Sequence, residues 1–171
     1  IHAWRENDTE TYNIPVTCPR FGSGEAKGLV KTTVRGHDIF IICDVFNYGI
    51  KYRMYDSVVP MSPDDHFQDL RRNIAALGGK ARRITVIMPM LYEGRQHRRT
   101  KRESLDCALA LRELSAMGVS NIITFDAHDP RVQNSFPLKG FDNFFPTYQF
   151  LKALVKNVPG FKLENDNLMT I

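Results

Sequence analysis

The sequence predicts a doubly wound α/β domain, a mostly parallel sheet with helices on both faces, and three observations carry that prediction. Apolar runs of strand length recur at IFIICDV (39–45), ITVIMP (84–89) and NIITF (121–125). The segments between them place apolar residues at helical spacing. Each helical segment stops at glycine, Gly78-Gly79 after the first and Gly118 after the second. Strand, helix, strand, helix, strand is the order of a parallel sheet with right-handed crossovers.

A chain of 171 residues is expected to form one domain, 1–171, large enough to bury a sizeable core. Its 43% apolar and 25% charged composition is that of an ordinary globular protein and argues against disorder. No stretch approaches the roughly 20 apolar residues of a membrane span, and IHAWRENDTE at the start is too charged for a signal peptide. A first residue of Ile rather than Met suggests a processed product, an excised domain or a missing start. Cys18, Cys43 and Cys107 are odd in number and widely spaced, which fits neither a disulfide framework nor a metal knuckle, so a reducing, cytoplasmic setting is expected.

In chain order, residues 1–13 are polar and show no periodicity, and FGSGE (21–25) puts Gly22 and Gly24 around Ser23 as a turn. LVKTTV (29–34) alternates and is β-branched, residues 35–38 read as a turn, and 39–45 reads as a strand buried on both faces. The aromatic stretch 47–61 fits no element and suits an excursion that makes a subunit contact. Ser62, Pro63, Asp64 and Asp65 form a helix start, and Phe67, Leu70, Ile74 and Leu77 follow at helical spacing. After the strand at 84–89, Leu105, Ala108, Leu109, Leu111 and Leu114 mark a helix over 104–117. Beyond the strand at 121–125, a third helix over 147–156 offers Phe150, Leu151, Leu154 and Val155 to the sheet, and LMTI (168–171) begins another parallel strand.

The functional signal lies at the carboxyl ends of the second and third strands. Residues 95–102, RQHRRTKR, hold Arg95, Arg98, Arg99, Lys101 and Arg102 and no acid. Ligands of open α/β sheets bind outside the carboxyl ends of strands, so a dense cationic loop there suggests a phosphate-bearing ligand. The loop has no aromatic residue, and nucleic acid would demand a broader basic face with interleaved aromatics. The segment DAHDPRVQN (126–134) leaves the neighbouring strand. Asp126 and His128, two apart, can face one side and hold Mg²⁺ directly or through its waters. Taken alone, the same pair also reads as a turn or a satisfied hydrogen-bonding pair. Metal and guanidinium groups around phosphate are what phosphoryl or pyrophosphoryl transfer needs. The chain contains neither GxxxxGK[ST] nor GxGxxG, so a nucleotide site here is of another kind.

With RGHDIFII (35–42), the strand ending in Pro89, Arg95-Gln96 and the basic residues after them, IITFDAH (122–128) and Asp142-Asn143, the chain resembles the ribose-phosphate pyrophosphokinases over roughly residues 20–160. The resemblance implies a phosphoribosyltransferase-like domain that transfers the β,γ-diphosphate of ATP to the anomeric hydroxyl of ribose 5-phosphate, with Mg²⁺. It implies that Phe21, Ser23 and Glu25 contact adenine from a neighbouring subunit and that Arg95 and Gln96 bind ATP, with Arg98 and Arg99 beside them. It places His128 at Mg-ATP, and Asp126, His128 and Asp142 near metal; Arg95 and His128 are then the catalytic candidates. A homo-oligomer follows, with no membrane partner. Members of the family are about twice this length, as two similar α/β domains, so the chain is expected to be the amino-terminal half, with the second domain outside it. Thr100 stands where many members have Asp and Ser23 where Asp or Asn is usual, which favours a second reading as a non-catalytic regulatory or scaffold subunit. His97 reads as a loop histidine able to touch phosphate, and Cys107 as a small core residue.

Overall fold

The computed structural model describes residues 12–162 and 164. Its elements in chain order are β1 (Val16–Thr17), β2 (Leu29–Val30), β3 (Asp38–Ile42), β4 (Lys51–Met54), β5 (Ser57–Pro60), α1 (Pro63–Ala76), β6 (Arg83–Met88), α2 (Asp106–Ala116), β7 (Asn121–Phe125), β8 (Gly140–Phe144) and α3 (Thr147–Asn157). A 3-10 helix, Pro130–Ser135, lies between β7 and β8. The strand expected at 168–171 lies outside the described residues, as does most of the polar start.

The three apolar runs form the parallel sheet they predict, and β8 extends it to the order β3-β6-β7-β8. Ile39 stands opposite Ile84, Val86 opposite Ile122 and Thr124 opposite Asn143. Each strand joins beside its predecessor, so right-handed crossovers carry α1 and α2 over the same face. Burial agrees with this. Ile39, Ile84, Val86, Met88 and Ile122 of the sheet form one buried cluster with Phe67, Leu70 and Ile74 of α1 and with Cys107, Leu111 and Leu114 of α2. Side chains alternate along a strand, and the opposite face presents Phe40, Ile42, Phe125 and Phe144, all exposed.

α1 forms where its cap chemistry places it. The Ser62 hydroxyl accepts from the Asp65 N–H at 3.1 Å and the Asp65 carboxylate accepts from the Ser62 N–H at 2.9 Å, closing a capping box ahead of Pro63. Gly78 and Gly79 end it at positive φ, 58° and 68°.

Five expectations change. The strand over 29–34 shrinks to β2, which pairs antiparallel with β1 apart from the main sheet. β3 is an edge strand with Phe40 and Ile42 exposed, whereas an apolar run alone reads as buried on both faces. The stretch 47–61 is a hairpin, β4 against β5, joined through Tyr55 at φ 50°. β8 is an additional parallel strand, and α3 has no buried residue although its apolar face is present.

Candidate functional site at the carboxyl ends of two strands

The link from β6 to the cationic loop is tied down first. The Tyr92 ring stacks on Phe67 of α1 with centroids 4.2 Å apart, a contact worth about 0.5–1.5 kcal/mol beyond its burial. The Tyr92 hydroxyl donates to Asp64 at 2.7 Å, and burial together with that bond pushes its pKa up, so it stays a donor. Glu93 follows at φ 54°, and burial with Asp106 and Asp64 nearby raises its carboxyl. Gln96 then closes the neck of the loop: its amide donates to the Ser104 carbonyl at 2.8 Å, and its own carbonyl accepts from the Cys107 N–H at 3.4 Å. Beyond the neck, Arg98, Arg99, Lys101 and Arg102 are exposed, as is Arg95 before it. None of these five cations forms an ion pair among the described residues, which leaves their charge available to an anion.

The segment after β7 is held as closely. Asp126 takes φ 48° while its N–H donates to the Phe144 carbonyl at 2.9 Å. Asn143 accepts the Ala127 N–H at 3.0 Å. Asp129 caps the 3-10 helix, accepting from the Arg131 N–H at 2.9 Å and from its guanidinium at 3.0, 3.1 and 2.6 Å. Those Arg131 bonds hold the Asp129 carboxyl well below the usual carboxylate range. Between Asp126 and Asp129, the exposed His128 ring lies 5.1 Å from the His97 ring at 60°. The neighbouring strand ends thus bring Arg95, His97, Asp126 and His128 into one region.

Asp142 is not gathered there. Alternation along β8 sends Asn143 to the Thr124 face and Asp142 to the other, where its carboxylate accepts from Asn121 at 3.0 Å. Within the Asp142-Asn143 pair, Asn143 is the residue that touches the site, a role sequence reasoning missed because β8 was not foreseen. No group of three or more His, Cys, Asp or Glu side chains poised for a metal occurs among the described residues. Asp126 and His128 are exposed and have no hydrogen-bond partner for their side chains there, so their oxygen and nitrogen donors are open to a ligand.

The turn with Phe21, Ser23 and Glu25 is built separately. Ser23 donates to Glu25 at 2.9 Å, Tyr55 of the hairpin donates its N–H to Gly22 at 2.9 Å, and Phe21 stands 52% exposed. No hydrogen bond, ion pair or ring contact joins this turn to the loop or to the β7 segment among the described residues. Burial raises all three thiols, Cys43 to about 12 and Cys107 to about 11, which disfavours their thiolates near neutral pH.

The adjacent ends of two parallel strands of an α/β sheet thus carry a cationic loop on one side and an exposed acid and imidazole on the other. Residues 6–118 match the family model described as the N-terminal domain of ribose phosphate pyrophosphokinase, and the chain belongs to that family. Relatives include ribose-phosphate pyrophosphokinase 1 of Candida albicans, 29% identical over 132 residues, covering 77% of this chain and 37% of that one. The ribose-phosphate pyrophosphokinase of Bacillus caldolyticus is 30% identical over 121 residues, 70% of this chain and 34% of its own. The chain therefore spans little more than a third of these relatives' lengths. In fold it is similar to the crystal structure of phosphoribosylpyrophosphate synthetase from Mycobacterium smegmatis, with a TM-score of 0.67 and 21% identity over 84% of this chain and 44% of that one.

Proposed function

We propose that this domain binds ATP for a ribose-phosphate pyrophosphokinase reaction completed by residues outside the chain. The observation that carries the reading is the meeting of the unpaired cations at 95–102 with Asp126 and His128 at the ends of adjacent parallel strands. In that reaction the anomeric hydroxyl oxygen of ribose 5-phosphate attacks the β-phosphorus of ATP. The bond to the α,β-bridging oxygen breaks, AMP leaves, the hydroxyl proton is released, and the diphosphate passes to the sugar.

Each residue has a role that its chemistry allows. Arg95, Arg98 and Arg99 neutralise phosphate oxygens as charge moves onto the bridging oxygen, and Gln96 keeps them in place through the neck. Asp126 and His128 would hold Mg²⁺ with the nucleotide. When bound, that ion supplies charge neutralisation across the phosphates. Phe21, Ser23 and Glu25 form an adenine-contacting turn that serves a neighbouring subunit's nucleotide, which accords with its lack of contact to the loop of its own chain. ATP, ribose 5-phosphate and a second copy of the protein are the partners.

The test is product formation by the intact protein from ATP and ribose 5-phosphate with Mg²⁺. Arg95→Ala and His128→Ala should each lower turnover by roughly a hundredfold or more with unchanged melting temperature, and a chelator should abolish the reaction. Full activity in both folded variants would overturn the assignment.

A further inference from the structure

We propose that His97 is a positioning residue that clamps the cationic loop to the segment after β7, through Asp129 and Arg131. This rests on the nucleotide reading for its consequence, though not for its geometry. His97 sits between two acceptors: its Nδ1 is 3.1 Å from the Arg95 carbonyl oxygen and its Nε2 is 3.4 Å from Asp129 Oδ2. Its ring also meets the His128 ring at 60°, with centroids 5.1 Å apart. One imidazole therefore touches the backbone of the leading cation, the carboxylate one residue beyond His128, and His128 itself. Among the described residues, the hydrogen bonds, ion pairs and ring contacts that join 95–102 to 126–131 all run through it.

The anchor is built for that load. Asp129 is held by the backbone N–H and the guanidinium of Arg131, four bonds that restrain its carboxylate. The His97 and Asp129 side chains are only 14% and 11% exposed, although the loop around them stands in solvent. At that exposure water competes less for the contact than it does at the open surface. It ties down a segment that no ion pair of its own cations restrains. Holding Arg95 and His128 at a set spacing before ligand arrives removes ordering that binding would otherwise have to supply.

The test reads loop restraint and kinetics separately in the intact protein. Trypsin cleavage after Arg98, Arg99, Lys101 and Arg102, mapped by mass spectrometry, should be roughly tenfold faster in His97→Ala and in Asp129→Asn, and no faster in the double variant, because the two groups act as one unit. His97→Gln, which keeps a donor, should recover part of the protection. In the transfer assay, His97→Ala should raise KM for ATP by a similar factor and leave KM for ribose 5-phosphate unchanged. Unchanged cleavage in folded His97→Ala, or cleavage rates that multiply in the double variant, would overturn the clamp even if Arg95→Ala abolishes turnover. Faster cleavage in a protein whose wild type binds no Mg-ATP would sustain the clamp and reject the nucleotide reading.

Discussion

Asp38, read from the sequence as part of a turn, opens β3 and is gripped by two arginines that precede and begin the next strand. Arg82 donates to it at 3.0 and 2.7 Å and Arg83 at 2.8 Å, and these bonds lower its pKa from 3.8 to about 2. A carboxyl depressed in the folded state contributes stability that is complete above its unfolded pKa and is lost as pH falls through the folded one. Stability should therefore decline between about pH 4 and pH 2, and Asp38→Asn should flatten that part of the profile. Urea midpoints measured across this range would check it, and parallel profiles for the two proteins would count against the pairing. The same scale shows what a sequence can carry about a site. Arg95, Asp126 and His128 were legible because strand ends and charge are local features. His97 with Asp129 was not, since the two are far apart in sequence and meet only because β6 and β7 are neighbours. The face that Asp142 occupies could not be read, because alternation cannot be applied to a strand that has not been recognised.

At the scale of elements, legibility followed the locality of the forces. α1 was readable to its first residue because its capping box and proline act within one turn. Ser62→Ala should cost about 1 kcal/mol, seen as a lower melting temperature, with little effect on transfer activity; an unchanged melting temperature would deny the cap its role. β8 escaped notice because GFDNF opens on glycine and carries two polar residues, and its pairing comes from Ile122, Ile123 and their neighbours on β7. The hairpin of β4 and β5 escaped because Tyr55 occupies a positive-φ position where glycine or asparagine is the usual signal. α3 was found from its periodicity, but periodicity describes a face and does not say what covers it.

For the whole molecule, the sequence carried the parallel class and the strand sequence from β3 to β7, because buried runs and crossover lengths leave few alternatives. It could not reveal which sheet face α1 and α2 leave open, since Phe40 and Ile42 are as apolar as the residues that do pack. Charge is the property in which one loop speaks for the entire chain. The chain carries +4, and without Arg95, Arg98, Arg99, Lys101 and Arg102 the remaining residues carry −1. Occupation of that loop by a polyanion should consequently be visible as motion in an electric field. Migration of this 171-residue chain toward the cathode at neutral pH should slow on adding Mg-ATP, and the same chain with all five replaced by glutamine should drift the other way and ignore the ligand. Equal retardation of both would place the anion elsewhere on the surface.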